Sequence, residues 1–439
     1  MKRMVIASNP GSGLTRKSFW ELKSQNTKPY LVVLTVFLFL GSLLNYLSTI
    51  VDTSSLIIKG QPPSIYMPIL GFFVSAAVWS RCTAVTTRSA GTLWILIGFG
   101  AAWIVHIVLA LAANEALFHS IWFYLPVLAL LIIKTPSWED ALFAVWVLAW
   151  LVASAMVLTL VAESVGIFPR YFVSQEILDW EKTRYWVPLD GFLGLDGRWP
   201  GPFGYNSKTG FVAAFVLTMA FAGKRKSDVF LGLIGLFFLL ATASRGSFLA
   251  AAAGVFAVFA FSRSGIFAWI PIKLRWITAG ISVSAIGALF LFGGTQLTGR
   301  FGESGIWSGY IDLWLTSPWI GVGQVGISQA DGIVAQSQAA HSMYIQELAN
   351  YGIIGFTVQY AVVVAALVFM TLAAVRGFAL PLAVSSAYLV ASLTEILNNG
   401  WLAHSIYVLL FILLAIVAIQ WLDGQGSRRT SESNSQNCD

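Results

Sequence analysis

The sequence predicts an all-α polytopic membrane protein with about 12 transmembrane helices and two large extracytoplasmic loops. Three observations carry that expectation. Only 10% of the 439 residues are charged, against roughly 25% in a soluble domain. The mean hydropathy is +0.76. Apolar runs of about 17–25 residues, the length a helix needs to cross a bilayer, recur from one end of the chain to the other. Water would leave this surface nowhere to hide, whereas hydrocarbon does not require it to be covered.

The apolar runs fall at 30–51, 64–80, 92–113, 117–133, 139–162, 209–222, 228–243, 247–261, 275–292, 352–374, 378–396 and 401–421. Pro68 stands near the start of the second, where a helix tolerates it. The sixth, seventh and eighth are short. An even number of spans puts both termini on one side, and lysine and arginine decide which side. One alternating set of segments, from Lys2 to Arg429, holds 18 of the 26 basic residues. The other set holds only Lys59, Arg170, Lys182, Arg184, Arg198, Lys208, Arg245 and Arg300. The richer set is cytoplasmic by the positive-inside rule, and each of its loops carries at least one basic residue. The sequence pI of 9.3 therefore reports topology, and nucleic acid is not the expected partner.

This places a cytoplasmic segment at 1–29, a transmembrane domain at 30–422 and a polar cytoplasmic tail at 423–439. The tail is polar enough to be disordered. The long insertions, 163–208 and 293–351, both fall outside. Loops of this length in a compact domain are functional or disordered as a rule. These are rich in Trp, Tyr, Phe, Gly and Pro, which predicts folded, partly interfacial caps. No disulfide is expected from Cys82 in a cytoplasmic loop and Cys438 in the tail. The first apolar run starts near Tyr30 with no small-residue cleavage site after it, so no cleavable signal peptide is expected.

Four histidines offer chemistry. His106, His119 and His404 lie in or beside apolar spans, and for these the expected role is a hydrogen-bonded packing residue. His341 stands in the second outer loop, within AAHSMYIQELANYGIIG. It opens a predicted short helix, with Tyr344, Ile345 and Leu348 below it and Gly352 ending it. The positive end of a helix dipole disfavours imidazolium, and a neutral imidazole can accept a proton. The residues alone leave two readings open for His341, a general base or a surface histidine at the interface.

Three arginines of the outer set stand in glycine-containing loops: Arg198 in LDGRWPGPFGYNSKTG, Arg245 in ATASRGSFLAA and Arg300 in QLTGRFGESGIW. A guanidinium binds phosphate as a bidentate fork. Any one of them could instead snorkel to lipid headgroups. Several together beside glycine-rich backbone favour an anion site. The acids Glu176, Asp179, Glu181, Asp190 and Asp196 alternate with Arg170, Lys182 and Arg184, as on a solvated, salt-bridged surface. There is no D-x-D pair, no zinc spacing, no P-loop and no dinucleotide fingerprint. No metal, cofactor or nucleotide donor is expected.

The ordered run GRWPGPFGYNSKTG, TASRGSFLAA, LTGR…IW…SPWIGVG and HSMYIQELANYGIIGF resembles the O-antigen ligase and polymerase superfamily over residues 195–375. Ser342 stands where the family often has Asn, and several residues are inserted between Arg300 and Ile306–Trp307. The resemblance implies a metal-independent, inverting glycosyl transfer at the outer face of the bacterial inner membrane. The implied donor is a glycan on polyprenyl (undecaprenyl) diphosphate, and the acceptor a hydroxyl of lipid A core or of a growing glycan. His341 would be the base, and Arg198, Arg245 and Arg300 would hold the diphosphate. A lipid-linked glycan flippase or other secondary transporter is the alternative; it would place charges in mid-span and show internal repeats. Here the charges cluster in outer loops, with Glu395 the main exception. A cell-wall glycan polymerase is a third reading and would lean on an outer-loop acid.

Overall fold

The computed structural model describes residues 90–112, 138–166, 187–189, 192, 195, 197–203, 206–223, 226–262, 269–278, 305–332, 334, 340–394 and 410–424. Among these, every regular element is helical. In chain order they are α1 (Ala90–Ala112), α2 (Trp138–Ser164), α3 (Asn206–Ala222), α4 (Lys226–Thr242), α5 (Arg245–Phe261), α6 (Ile306–Thr316), α7 (Gly323–Ser328), α8 (Met343–Val375), α9 (Leu380–Thr394) and α10 (Leu410–Gly424). A 3-10 turn, Gly201–Phe203, precedes α3. Three stretches, Ala90–Leu109, Ala141–Ser164 and Met343–Val375, are long and apolar enough to cross a membrane, and α4, α5, α9 and α10 are shorter apolar helices. The runs predicted at 30–51, 64–80 and 117–133, and most of the one at 275–292, lie outside the described residues.

The long helices α1 and α2 and the 353–375 part of Met343–Val375 are apolar on nearly every face, which is how a helix reads when one side meets protein and the other meets lipid. Trp94, Ile104 and Val108 of α1, Leu158 and Val161 of α2, and Val364 and Val368 of α8 are exposed large hydrophobics. With no polar stripe to orient them, the helices pack through notches left by small residues, as helices in lipid do. The hub is α3, buried from Thr209 to Met219. A Cβ added at Gly210 would lie 2.6 Å from the hydroxyl oxygens of both Thr242 and Ser247, and one at Gly235 would lie 2.8 Å from the Leu217 nitrogen. These glycines let α4 and α5 approach α3 at backbone distance.

The same contacts set directions. Ser247 Oγ donates to Ser207 O at 3.1 Å, and Gly254 packs on Thr218, so α5 runs parallel to α3. Gly210 meets the last residue of α4, so α4 runs antiparallel to it. On α9, Tyr388 meets Phe211 near the start of α3, with ring centroids 6.2 Å apart, while Ala383 joins Ala257, Val258, Phe221 and Ala222 at the far end. The starts of α3 and α5 and the ends of α4 and α9 thus share one end of the bundle. α2 also ends there, since Trp199 Nε1 donates to Glu163 Oε2 at 2.7 Å.

The helix α8 is two helices. Gly352 has φ 61 and ψ −168, a conformation open only to glycine. The two arms fold against each other, because the Tyr344 and Tyr360 rings sit 5.2 Å apart; in a straight helix their 16-residue separation would span about 24 Å. Met343–Tyr351 is therefore an arm laid back along the 353–375 shaft. The shaft alone, at about 1.5 Å per residue, is still long enough for a bilayer core of roughly 30 Å. The connection between α6 and α7 braces the corner: Ile353 N donates to Pro318 O at 2.9 Å, Ile354 N to Trp319 O at 3.1 Å and Val322 N to Ala349 O at 2.8 Å.

Candidate functional site

Arg198 sits in a strap stapled to three helices. The neighbouring Trp199 is buried, its indole stacked on Phe238 with centroids 4.9 Å apart and its N–H given to Glu163. Its backbone N–H donates to Ala241 O at 3.0 Å. The Thr209 hydroxyl donates to Pro200 O, tying the strap to α3. With the backbone so fixed, Arg198 is half-buried and its Nε donates to Thr242 O at 3.3 Å.

Thr242 closes α4, and the chain reverses in two residues. Ala243 takes φ 46, and Ser244 caps α5, its hydroxyl accepting from Ser247 N at 3.4 Å. Arg245 then opens α5, exposed, three residues beyond the carbonyl that Arg198 holds. A cation in the first turn lies at the positive end of the helix dipole, which is unfavourable. The opposite end of the same helix shows the favourable case: Arg275 Nη1 donates to Phe259 O at 3.2 Å and also to Ser262 O, at the carboxyl terminus of α5. Two guanidinium groups beside the start of α5 make the Arg198–Arg245 corner suited to an anion.

His341 stands two residues before the arm of α8, half-buried, with φ 49. Ser342 is the N-cap residue, and its carbonyl accepts the first helical bond from Gln346 N at 3.0 Å. The Gln346 side chain reaches back to accept from Ala340 N at 3.0 Å, which pins both sides of the histidine. One residue on, Met343 Sδ accepts from Tyr388 O–H at 3.6 Å, and Tyr344 O–H donates to Leu389 O at 2.9 Å. Tyr388 packs on Phe211, just inside the start of α3. The histidine turn and the two-arginine corner therefore occupy the same end of the bundle.

Arg300 lies outside the described residues, as do His119, His404, Glu395, both cysteines and the charged run from Arg170 to Arg184. His106 makes the packing bond expected of it, Nδ1 lying 2.7 Å from Ala102 O. No group of three or more His, Cys, Asp or Glu residues able to hold a metal ion occurs among the described residues. Three residues that shape the site went unweighed in the sequence reading. Glu163 anchors the strap through Trp199, Gln346 fixes the histidine turn, and Glu347 lies opposite His106. The available signal was an acid just beyond the end of one apolar run, Glu163, and another shortly before the start of the next, Glu347.

No family model matches the chain, and no curated protein matches it.

Proposed function

We propose that the protein is a metal-independent inverting glycosyltransferase of the O-antigen ligase and polymerase type. In this reading about 12 spans hold both termini in the cytoplasm of a bacterial inner membrane. The loops at 163–208 and 293–351 cover an outward-facing site. The donor is a glycan on polyprenyl diphosphate, and the acceptor is a hydroxyl of lipid A core or of another glycan. His341 takes the acceptor proton as that oxygen attacks the anomeric carbon. The bond from that carbon to the diphosphate breaks, and the lipid diphosphate leaves with its charge held by Arg198, Arg245 and Arg300. Diphosphate is already a good leaving group, so positioning and charge stabilisation supply most of the catalysis.

The observation that supports this most is the shared end of the bundle. Arg198 and Arg245 flank one turn beside a helix start, and the histidine turn, held on α9, lies at the same end. The ordered sequence motifs support the family assignment. The test is reconstitution in vesicles with a defined lipid-linked oligosaccharide and candidate acceptors, with and without chelator. Chelator-resistant transfer that His341→Ala abolishes, with membrane insertion intact, is the expected result. Full transfer by His341→Ala removes the base; strict dependence on a divalent ion removes the metal-free route. Product size separates a ligase from a polymerase.

A transporter or flippase reading draws support from one feature, the His106–Glu347 pair inside an apolar segment. Tracer flux across the same vesicles without any covalent product would favour it.

A further inference from the structure

The turn between α6 and α7 is tightly held and yet presents two large apolar side chains to the outside. Trp314 Nε1 donates to Pro318 O at 3.0 Å, and Gly321 N closes the turn on Ser317 O at 2.8 Å. Pro318 O and Trp319 O also accept from the start of the α8 shaft, and Val322 N donates to the arm. Gly321 has φ 76, and a Cβ there would lie 2.3 Å from Asn350 O. Despite these protein partners for the backbone, Trp319 is 68% exposed and Ile320 45%. A backbone clamped at so many points cannot tuck the two side chains away, so whatever faces them must accept apolar surface.

The register of α1 against α8 gives the depth of this turn. A Cβ built at Gly91 would meet Phe369, one at Gly98 would meet Val362, and one at Gly355 would meet Leu109. Each advance along α1 is matched by a similar retreat along α8. The two helices therefore cross together, antiparallel, and the last turn of α1 lies level with the Gly352 corner. The apolar run of α1 gives way there, since Asn114 and Glu115 come next but one in the sequence. At the other end the shaft closes on the exposed Arg376, and Arg88 stands just before α1 in the sequence. Between these limits the 353–375 shaft rises about 34 Å, enough for a hydrocarbon core of roughly 30 Å and the beginning of its interface. The turn braced against residue 353 thus sits at headgroup level, where tryptophan concentrates in membrane proteins.

The surroundings indicate the occupant. Ile353 and Ile354, whose N–H groups hold the turn, are exposed, as is Leu315 in the last turn of α6. On the shaft, Val364, Val368, Leu372 and Val375 continue that exposed apolar side at helical spacing. Trp319 therefore stands at the head of the surface the shaft turns towards lipid. Aliphatic neighbours suit acyl chains, whereas a sugar stacked on the ring would need hydrogen-bonding groups around it. We propose that the Trp319–Ile320 turn is a membrane foot, both side chains inserting at the boundary between headgroups and acyl chains. The leaflet is the one on the arginine side: the shaft and α9 run antiparallel through Arg376–Ala379, and α9 ends beside the starts of α3 and α5. The foot holds the corner and the corner holds the arm, so lipid contact sets the depth of the histidine turn. The inference rests on the membrane reading of the apolar helices and needs none of the transfer chemistry.

The test is site-directed fluorescence of the full chain in lipid nanodiscs, with Cys82 and Cys438 replaced by serine. Ile320→Cys carries a bimane label, and Val364→Cys, mid-shaft, carries the same label as the lipid-facing reference. The quenchers are phosphatidylcholine brominated either near the glycerol end of its chains or near their methyl end, and iodide in the buffer; free label sets the iodide limit. The 320 label should lose more emission to shallow bromine than to deep bromine and little to iodide, while the 364 label should lose most to deep bromine. A 320 label quenched by iodide as fully as free label, and not by bromine, overturns the foot. One quenched by neither means that a protein surface covers the turn, which overturns it as well. A 364 label untouched by bromine removes the membrane crossing of α8, on which the foot and the transferase reading both stand; failure at 320 alone removes only the foot.

Discussion

Replacing Gly352 with alanine puts a methyl group where the arm of α8 turns back. The cost has two parts. The backbone there, φ 61 and ψ −168, costs a non-glycine residue about 1–3 kcal/mol. The new Cβ would also lie 2.5 Å from the Gly321 nitrogen and closer still to the Trp319 carbonyl. These are backbone atoms, locked by the bonds from Ile353, Ile354 and Val322, so no side chain can swing aside. Overpacking of that kind adds about 1–3 kcal/mol, so the total should be about 2–6 kcal/mol. Gly332→Ala gives a positive-φ comparison without crowding, since Gly332 has φ 68 and nothing within 4 Å of a built Cβ; it should cost only about 1–2 kcal/mol. Gly100→Ala, mid-helix in open space, should be neutral or stabilising by about 0.5–1 kcal/mol. Denaturant unfolding of the three variants in mixed micelles gives the comparison. If Gly352→Ala and Gly332→Ala fall within about 0.5 kcal/mol of each other, the close approach at the corner is not there, and the folded-back arm goes with it.

Three further outcomes are expected. His341→Gly removes the strain of φ 49, a gain of about 1–2 kcal/mol against an entropic loss of about 0.5–1 kcal/mol. Its unfolding free energy should match or slightly exceed wild type while transfer disappears, and a stable, active variant contradicts the catalytic role. Arg245→Lys is exposed and should change stability by less than about 0.5 kcal/mol, yet raise KM for the lipid-linked donor because an ammonium lacks the fork; unchanged donor kinetics would count against phosphate binding there. Glu163→Ala strips the buried Trp199 indole of its acceptor and should cost about 1–3 kcal/mol, whereas Glu163→Gln keeps a carbonyl and should recover most of that, so equal losses in both would mean the hydrogen bond is not the anchor.

Local rules made much of this chain readable. The run predicted at 92–113 is the helix Ala90–Ala112, and that at 139–162 is Trp138–Ser164. Apolar length and flanking polar residues are properties of a segment by itself. The short helix after His341, ended by Gly352, was likewise legible, because glycine marks the place where a helix cannot continue. Hydropathy says nothing, however, about which way the chain leaves such a glycine, and the arm's return along its own shaft appears only through the Tyr344–Tyr360 contact.

The partnerships belong to the tertiary structure. His106 and Glu347 are separated by most of the chain, and no periodicity links them. Arg198 and Arg245 could be grouped from the sequence by residue type alone, and the Trp199–Glu163 anchor and the Ala243 reversal are what bring them to one corner. The physical reason is the evenness of the long helices: with nearly every face apolar, burial gives no direction, and only the shape of facing surfaces selects neighbours. The sequence alone determined that the chain forms long apolar helices and where several of them stop, while the notches at Gly210, Gly235 and Gly254 decided which of them meet.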